Sequence, residues 1–199
     1  MNVEEKPRTG LRERKKLKTR ATIQYHAMRL FHEQGYHETT IEQIAEASEI
    51  SPSTLFRYFP TKESLVLEDD FDPLLIELFR RQPPGLSPVA AFRRAIKAGA
   101  EQMPEEARLA IRQRMELTMS VPELRAASLS QMSDTTELIA ALIAERTGRE
   151  RSDLTVVAYA GALLGTVMSA LFHCSVHKNA DYIDTIVDVL EQMENGFEL

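Results

Sequence analysis

Helix starts marked by proline recur along this chain, and they restrict its fold more than any other sequence feature. Ser51-Pro52 and Ser87-Pro88 each place a capping residue directly before a proline. Pro104 and Pro122 begin two further segments in which apolar residues recur with helical spacing. Serine accepts hydrogen bonds from the free N–H groups of a first helical turn, and proline fits there because it has no N–H. No segment alternates like a strand, so the sequence predicts an all-α protein.

The distribution of charge indicates a binding site for a polyanion near the N-terminus. The 199 residues carry a net charge of −6, yet residues 1–20 hold eight lysines and arginines against three glutamates. A basic segment on an acidic protein is typical of nucleic-acid binding. We therefore expect residues 1–14 to form a flexible basic arm, although a solvated tail would have the same composition.

Residues 15–60 have the spacing of a three-helix unit that ends in a helix-turn-helix. A first amphipathic helix stops at Gly35, and Thr40 with Gln43 then forms the capping box of a second. After a short turn, Ser51 caps a third helix that ends before Pro60. Two short helices joined by a tight turn are the usual means of placing a helix in a DNA groove.

The candidate DNA contacts are polar residues on the outer face and at the helix starts of this unit. Short hydroxyl side chains let a helix approach the groove, while arginine and tyrosine have the reach to contact bases or phosphates. Residues at a helix N-terminus favour phosphate through the unpaired N–H groups. The candidates are Thr40, Ser51, Ser53, Thr54, Arg57, Tyr58 and Lys62.

The segments GYHETTIEQIA (35–45) and ISPSTLFRYFPTKESL (50–65) closely resemble the DNA-binding domain of TetR-type transcriptional regulators. The resemblance covers about Arg20 to Leu67. It implies an all-α homodimer, usually a repressor, whose C-terminal domain binds a small molecule that lowers DNA affinity. By the same resemblance, Thr40 and Lys62 match the family's phosphate-contacting threonine and lysine.

Two positions depart from the family pattern. The turn residue that is often glycine in TetR-type proteins is Glu49, which costs on the order of 1 kcal/mol if its backbone is left-handed. The first aromatic residue of the usual Tyr-x-Tyr-Phe is Phe56, so a hydroxyl contact there is lost. Ring packing or contact with a thymine methyl group remains open to Phe56.

Residues 61–199 are expected to form a helical ligand-binding and dimerisation domain. One helix is predicted over 61–81 and would join the DNA-binding unit to this domain. A long helix is predicted over 122–146, and others begin at Pro88, Pro104, Asp153 and Asp181.

The last two helices carry the candidate dimer interface. Small residues recur every four positions in the penultimate helix, which lets another helix approach closely. The resemblance also implies that the last two helices form a four-helix bundle between subunits, although packing within one chain would use the same residues. The candidates are Gly161, Gly165, Ser169, Tyr182, Ile186, Val189, Leu190 and Met193.

Apolar residues of the C-terminal domain could line a cavity for a hydrophobic effector, or they could simply be core. The candidates are Phe71, Leu75, Phe92, Ile96, Met103, Met115, Met119, Leu142, Leu164, Met168 and Phe172. The stretch around Met115 and Val121–Ala126 also resembles a TetR subgroup that includes the mycofactocin-associated regulators, for which acyl-CoA ligands are described. No binding residue is carried over from that resemblance.

The sequence thus predicts a cytoplasmic, ligand-released repressor that binds a palindromic DNA operator as a homodimer, without cofactor, metal or membrane. A DNA-binding protein without an effector, architectural or controlled by a protein partner, is the main alternative. An enzyme is disfavoured because the phosphate-loop, metalloprotease and nucleophile motifs are missing. His173, Cys174 and His177 could chelate zinc, and residues 154–177 could span a bilayer. Packing explains both features better, the second as a helix buried in a helical interface.

Overall fold

In the computed structural model, residues 10–68, 71–177 and 180–198 are described, and the regular elements of these residues are all helices, which confirms the all-α prediction. Contacts divide the chain into one unit up to Glu68 and a second from Asp69 onward. The helices of the first unit are α1 (Leu11–Gln34), α2 (Ile41–Ala47), α3 (Pro52–Tyr58) and α4 (Ser64–Leu67). Those of the second unit are α5 (Phe71–Arg80), α6 (Pro88–Glu101), α7 (Glu105–Ser120), α8 (Pro122–Ser130), α9 (Met132–Thr147), α10 (Leu154–Val176) and α11 (Tyr182–Asn195).

The apolar stripe of α1 forms the centre of the first unit. Ile23, Ala27 and Phe31 are buried at 2% exposure or less, and Tyr36 folds back so that its ring lies 5.1 Å from that of Phe31. The helix begins at Leu11, so residues 11–14 of the predicted arm belong to its first turn. Residues 1–9 of that arm lie outside the described residues.

The single helix predicted over 61–81 is wrong, because the chain is extended at Glu68, where ψ is 125°. The side-chain amide of Gln24 donates to the carbonyl oxygen of Glu68 at 2.6 Å, and Arg20 pairs with its carboxylate. These contacts from α1 replace the hydrogen bonds that would continue α4. The first unit therefore extends to Glu68, eight residues past the expected boundary at 60.

The core of the second unit lies among α5, α6, α9, α10 and α11. The rings of Phe79 and Phe92 are 4.2 Å apart, and Ala160, Leu163 and Leu190 are buried with them. Helix α10 packs against both α9 and α11. Apart from this aromatic pair, the buried core consists of aliphatic and alanine side chains, which pack densely between the helices.

The predicted helix over 122–146 is also interrupted, at Gln131 between α8 and α9. The N–H of Gln131 is shared between the carbonyl oxygens of Ala127 and Ser128, and the hydroxyl of Ser130 also donates to Ala127. A serine hydroxyl that bonds back to the preceding turn bends a helix. The break therefore arises without glycine or proline.

Helix α10 is long and apolar enough to cross a membrane by length and composition, with a mean hydropathy of 1.8 over its most apolar window. Only 28% of that window is buried within the chain. Leu154, Val157, Phe172 and Val176 are among its exposed side chains. A helix that packs on both neighbours and still exposes apolar residues has a further face available for contact with another molecule.

Candidate nucleic-acid interface

The turn between α2 and α3 has the geometry of a helix-turn-helix. Both predicted caps are present: Thr40 and Gln43 form a capping box, and Ser51 accepts from the N–H of Thr54. Glu49 takes a left-handed backbone with φ of 56°, and the N–H of Ile50 then donates to the carbonyl oxygen of Ala45. The turn is thus formed at the cost of a strained non-glycine residue.

Helix α3 separates a buried face from an outward one. Leu55 and Phe59 have no exposed surface, whereas Ser53 and Arg57 are exposed. Residues three and four apart share one side of a helix, so Ser53 and Arg57 point the same way. Tyr58 is half-buried, and the guanidinium carbon of Arg57 lies 5.9 Å from the centre of its ring.

The hydroxyl groups at the start of α3 form one network in the free protein. The Oγ of Ser51 lies 3.0 Å from the Oγ of Ser53 and 2.9 Å from the Oγ1 of Thr54. A hydroxyl has one donor and two acceptor positions, so Ser53 and Thr54 keep capacity for a further partner. Ser51 has less capacity for a further partner than Ser53 and Thr54, because its Oγ also accepts from the N–H of Thr54 at 3.2 Å as the helix cap.

Thr40 and Lys62 occupy different surroundings. Thr40 is exposed, and its hydroxyl accepts from the N–H of Gln43 at 3.2 Å, which leaves its own O–H to donate elsewhere. The Nζ of Lys62 donates to the carbonyl oxygen of Tyr36 at 2.5 Å and lies 4.4 Å from the centre of that ring. Burial lowers the pKa of Lys62, and the nearby Glu63 and Glu38 oppose that shift.

Arg20 is a residue whose role the sequence did not reveal. Its guanidinium lies 4.3 Å from the centre of the Phe59 ring, donates to the carbonyl oxygen of Tyr58 at 3.2 Å and pairs with Glu68 at 2.6 Å. It therefore fixes the end of α3 and the end of α4. In the sequence it is indistinguishable from the other basic residues of the N-terminal segment, since its partners lie 38 to 48 residues away.

The small-residue strip of α10 is open. A Cβ atom added at Gly161 or Gly165 would meet nothing within 4 Å, and Ser169 is exposed. For α11, however, the expected dimer contacts need correction. Tyr182 and Leu190 are 4% and 0% exposed, so the chain itself covers them and a second copy cannot contact them. Ile186, Val189 and Met193 are partly buried, and Ile186 and Met193 pack against the chain's own core.

The candidate effector residues fall into three groups. Phe92, Met119, Leu142 and Leu164 are buried. Phe172 is 41% exposed, so its expected place in an interior cavity is corrected, and the side chain of Phe71 lies outside the described residues. The others are partly buried: Leu75, Ile96, Met103, Met115 and Met168.

The alternative zinc site is not assembled. The rings of His173 and His177 lie 4.2 Å apart, but Cys174 is buried, with its Sγ 3.9 Å from the carbonyl oxygen of Asp181. Within residues 10–68, 71–177 and 180–198, no group of three or more histidine, cysteine or acidic residues could hold a metal ion.

Two family models match the chain. Residues 26–68 match the model described as bacterial regulatory proteins of the tetR family. Residues 86–198 match the model of the MftR C-terminal domain. Together these matches cover the helix-turn-helix and most of the second unit.

Two curated relatives are transcriptional regulators. TcmR of Streptomyces glaucescens is 41% identical over 91 residues, which are 45% of this chain and 40% of TcmR. The mycofactocin biosynthesis transcriptional regulator MftR of Mycobacterium tuberculosis is 29% identical over 161 residues, which are 77% of this chain and 80% of MftR. The chain therefore spans less than half the length of the first relative and most of the second.

Solved structures share the fold at low identity. The repressor FadR of Thermus thermophilus, crystallised with lauroyl-CoA, is 24% identical with a TM-score of 0.56, over 90% of this chain and 95% of FadR. The complex of SmeT with triclosan is 21% identical with a TM-score of 0.58, over 92% of this chain and 95% of SmeT.

Proposed function

The chain belongs to the TetR family of DNA-binding transcriptional regulators, which are not enzymes, and from that membership we propose that it is a dimeric repressor released from its operator by a hydrophobic small molecule. One observation carries the proposal. The helix-turn-helix, proposed to bind DNA, and the C-terminal domain, proposed to bind the effector, each match a family model.

DNA recognition is assigned to the outward face of α3. Ser53 and Arg57 would reach base edges in the major groove, flanked by Thr54 and Tyr58. Thr40, Ser51 and Lys62 would contact phosphates and fix the position of the helix. A two-fold dimer would present two such helices about 34 Å apart, and its operator would be palindromic.

The effector is proposed to be apolar over much of its length, with an acyl-CoA as the first class to test. Met103, Met115 and Met168 are partly buried in the second unit, and flexible thioether side chains suit ligands of variable shape. The lauroyl-CoA bound by FadR supports this class. A coupling free energy of about 1–3 kcal/mol between effector and DNA would be enough to change operator occupancy.

The test is a thermal-shift series on the purified full-length protein with lauroyl-CoA, free laurate and coenzyme A. Binding to the native state raises Tm by mass action, so lauroyl-CoA should give a rise that grows with the logarithm of its concentration above Kd, and coenzyme A alone should give little. A second step measures release of the operator by the compound that binds. If no compound raises Tm while operator DNA still binds, control by a protein partner or constitutive binding replaces control by effector.

A further inference from the structure

Phe56 is an exposed apolar side chain beside the hydrogen-bonding face of α3. It is 47% exposed, whereas the neighbouring Leu55 is fully buried. Successive residues of a helix are 100° apart, so Ser53 and Arg57 occupy the middle of the outward face. Phe56 flanks them on one side and Thr54 on the other. A large aromatic ring therefore lies half in water at the edge of the DNA-reading surface.

The fold of the unit does not account for this ring. The aromatic pairs described for this unit are Phe31 with Tyr36, Tyr25 with His26, and Tyr36 with His37, and Phe56 belongs to none of them. Leu55 within α3 and Phe59, the residue after the end of α3, are already fully buried, and the ring of Phe56 is not buried with them. A phenylalanine ring that is half exposed keeps apolar area that it can bury against another molecule, and such burial is favourable.

The chemistry of the side chain selects what it can contact in a major groove. A phenyl ring forms no conventional hydrogen bond, so it cannot replace the phosphate or base-edge contacts that a tyrosine hydroxyl makes. The apolar group that the groove offers is the C5 methyl of thymine, which cytosine lacks. We propose that Phe56 reads thymine, by packing its ring against that methyl group in each half of the operator.

The proposal rests on the proposed function, because it requires α3 to enter the major groove. It adds a second kind of recognition to the hydrogen bonds of Arg57. An arginine in this position discriminates guanine through its O6 and N7 acceptors, and a phenyl ring one residue earlier addresses an adjacent base pair through shape and hydrophobic contact. The preferred half-site would then carry a thymine next to the pair that Arg57 contacts.

The experiment first selects a binding site from a random duplex library with the full-length protein. Each thymine of the selected site is then replaced by deoxyuridine, which removes only the methyl group. For the wild type, this replacement at one symmetry-related pair of positions should lower the affinity about fourfold for each methyl group removed, which corresponds to ~0.8 kcal/mol. Phe56→Ala should bind the thymine and uracil duplexes equally, and Phe56→Tyr should keep the preference because it keeps the ring.

Tyr25→Ala is the matched control, since Tyr25 is an aromatic residue of the same unit that is 66% exposed on α1. It should retain the wild-type ratio of thymine to uracil affinity. A ratio of one at every thymine of the wild-type site overturns the inference, as does a ratio that Phe56→Ala leaves unchanged. An equal loss for all sequences in Phe56→Ala would assign the ring to the DNA backbone instead. If the wild type selected no sequence, the proposed function would fail together with this inference.

Discussion

Lys62 contacts the buried residue Tyr36 of the first unit and is also a proposed contact to a DNA phosphate. Its ammonium group donates to the carbonyl oxygen of Tyr36, and burial lowers its pKa. A phosphate contact needs the charged form, so as pH rises Lys62 loses its proton before an ordinary lysine of pKa 10.5 does. DNA affinity should therefore fall at a lower pH in the wild type than in Lys62→Arg, which stays charged. Filter binding at constant ionic strength between neutral and alkaline pH checks this.

Removing the charge at Lys62 tests whether this residue contacts the DNA backbone or recognises the base sequence. Lys62→Ala should weaken specific and nonspecific duplexes alike and reduce the salt dependence of binding by about one unit per subunit. Arg57→Ala should instead cost ~1–3 kcal/mol on the selected site and little on others. A loss of sequence preference in Lys62→Ala would reverse these roles. Its Tm must be measured alongside, because the contact with Tyr36 is lost too.

The left-handed backbone of Glu49 is a local strain that substitution can release. Glycine removes a cost of about 1–2 kcal/mol, partly offset by its greater freedom in the unfolded chain. Glu49→Gly should therefore be about 1 kcal/mol more stable than Glu49→Ala in urea denaturation, since both remove the same charge. The same pair of changes at Glu46, which lies within α2, should give the opposite order. If alanine were more stable than glycine at position 49 as well as at position 46, the backbone at Glu49 would not be strained.

At the level of elements, Arg146 of α9 holds the loop between α5 and α6. Its guanidinium donates to the carbonyl oxygens of Leu86 at 3.1 Å and of Gln82 and Pro83, and lies 5.5 Å from the centre of the Phe79 ring. Lysine cannot serve three carbonyl groups in this way. Arg146→Lys should lower the free energy of unfolding by about 1–3 kcal/mol and speed hydrogen exchange in the loop.

Arg80, the last residue of α5, is the control for Arg146 of α9. It pairs with Glu145 at 2.9 Å, but both side chains are more than half exposed. Solvent screens such a pair, so Arg80→Lys should change stability by less than about 1 kcal/mol. If the two variants lost equal stability, the carbonyl contacts of Arg146 would have no special weight.

The helix starts could be predicted from the sequence because their signals are local. Ser51 and Thr40 cap the helices that they were expected to cap, and Pro88 begins α6. The break after α4 depends on side chains of α1 and so has no local pattern. Even there, Pro73 was a usable signal, since proline fits the first turn of α5 and not the middle of a helix over 61–81.

The candidate site shows the same division between local and distant causes. The outward face of α3 follows from helical spacing, and so does the burial of Leu55 and Phe59. The position of Arg20 over Phe59 and the turn of Lys62 toward Tyr36 depend on residues far apart in the chain. A basic residue that binds DNA and one that packs on an aromatic ring have the same local sequence, so only the structure distinguishes them.

At the level of the whole molecule, we expect the open face of α10 to be the surface on which a second copy of the chain packs. Gly161 lies on this face with free space around the position of a Cβ atom, so a larger residue fits the single chain. Gly161→Glu should raise the helix propensity of α10 yet place bulk and charge where a partner helix must approach. Sedimentation velocity should then show a monomer, and affinity for a palindromic operator should fall because the two reading helices are no longer linked.

Ala110→Glu is the matched control, because it adds the same side chain to an exposed position on α7. It should sediment like the wild type and keep its operator affinity. A Gly161→Glu protein that remained dimeric at the wild-type concentration would move the interface away from the small-residue strip. The exposed apolar residues of α10, among them Val157 and Phe172, would then need a different partner to cover them.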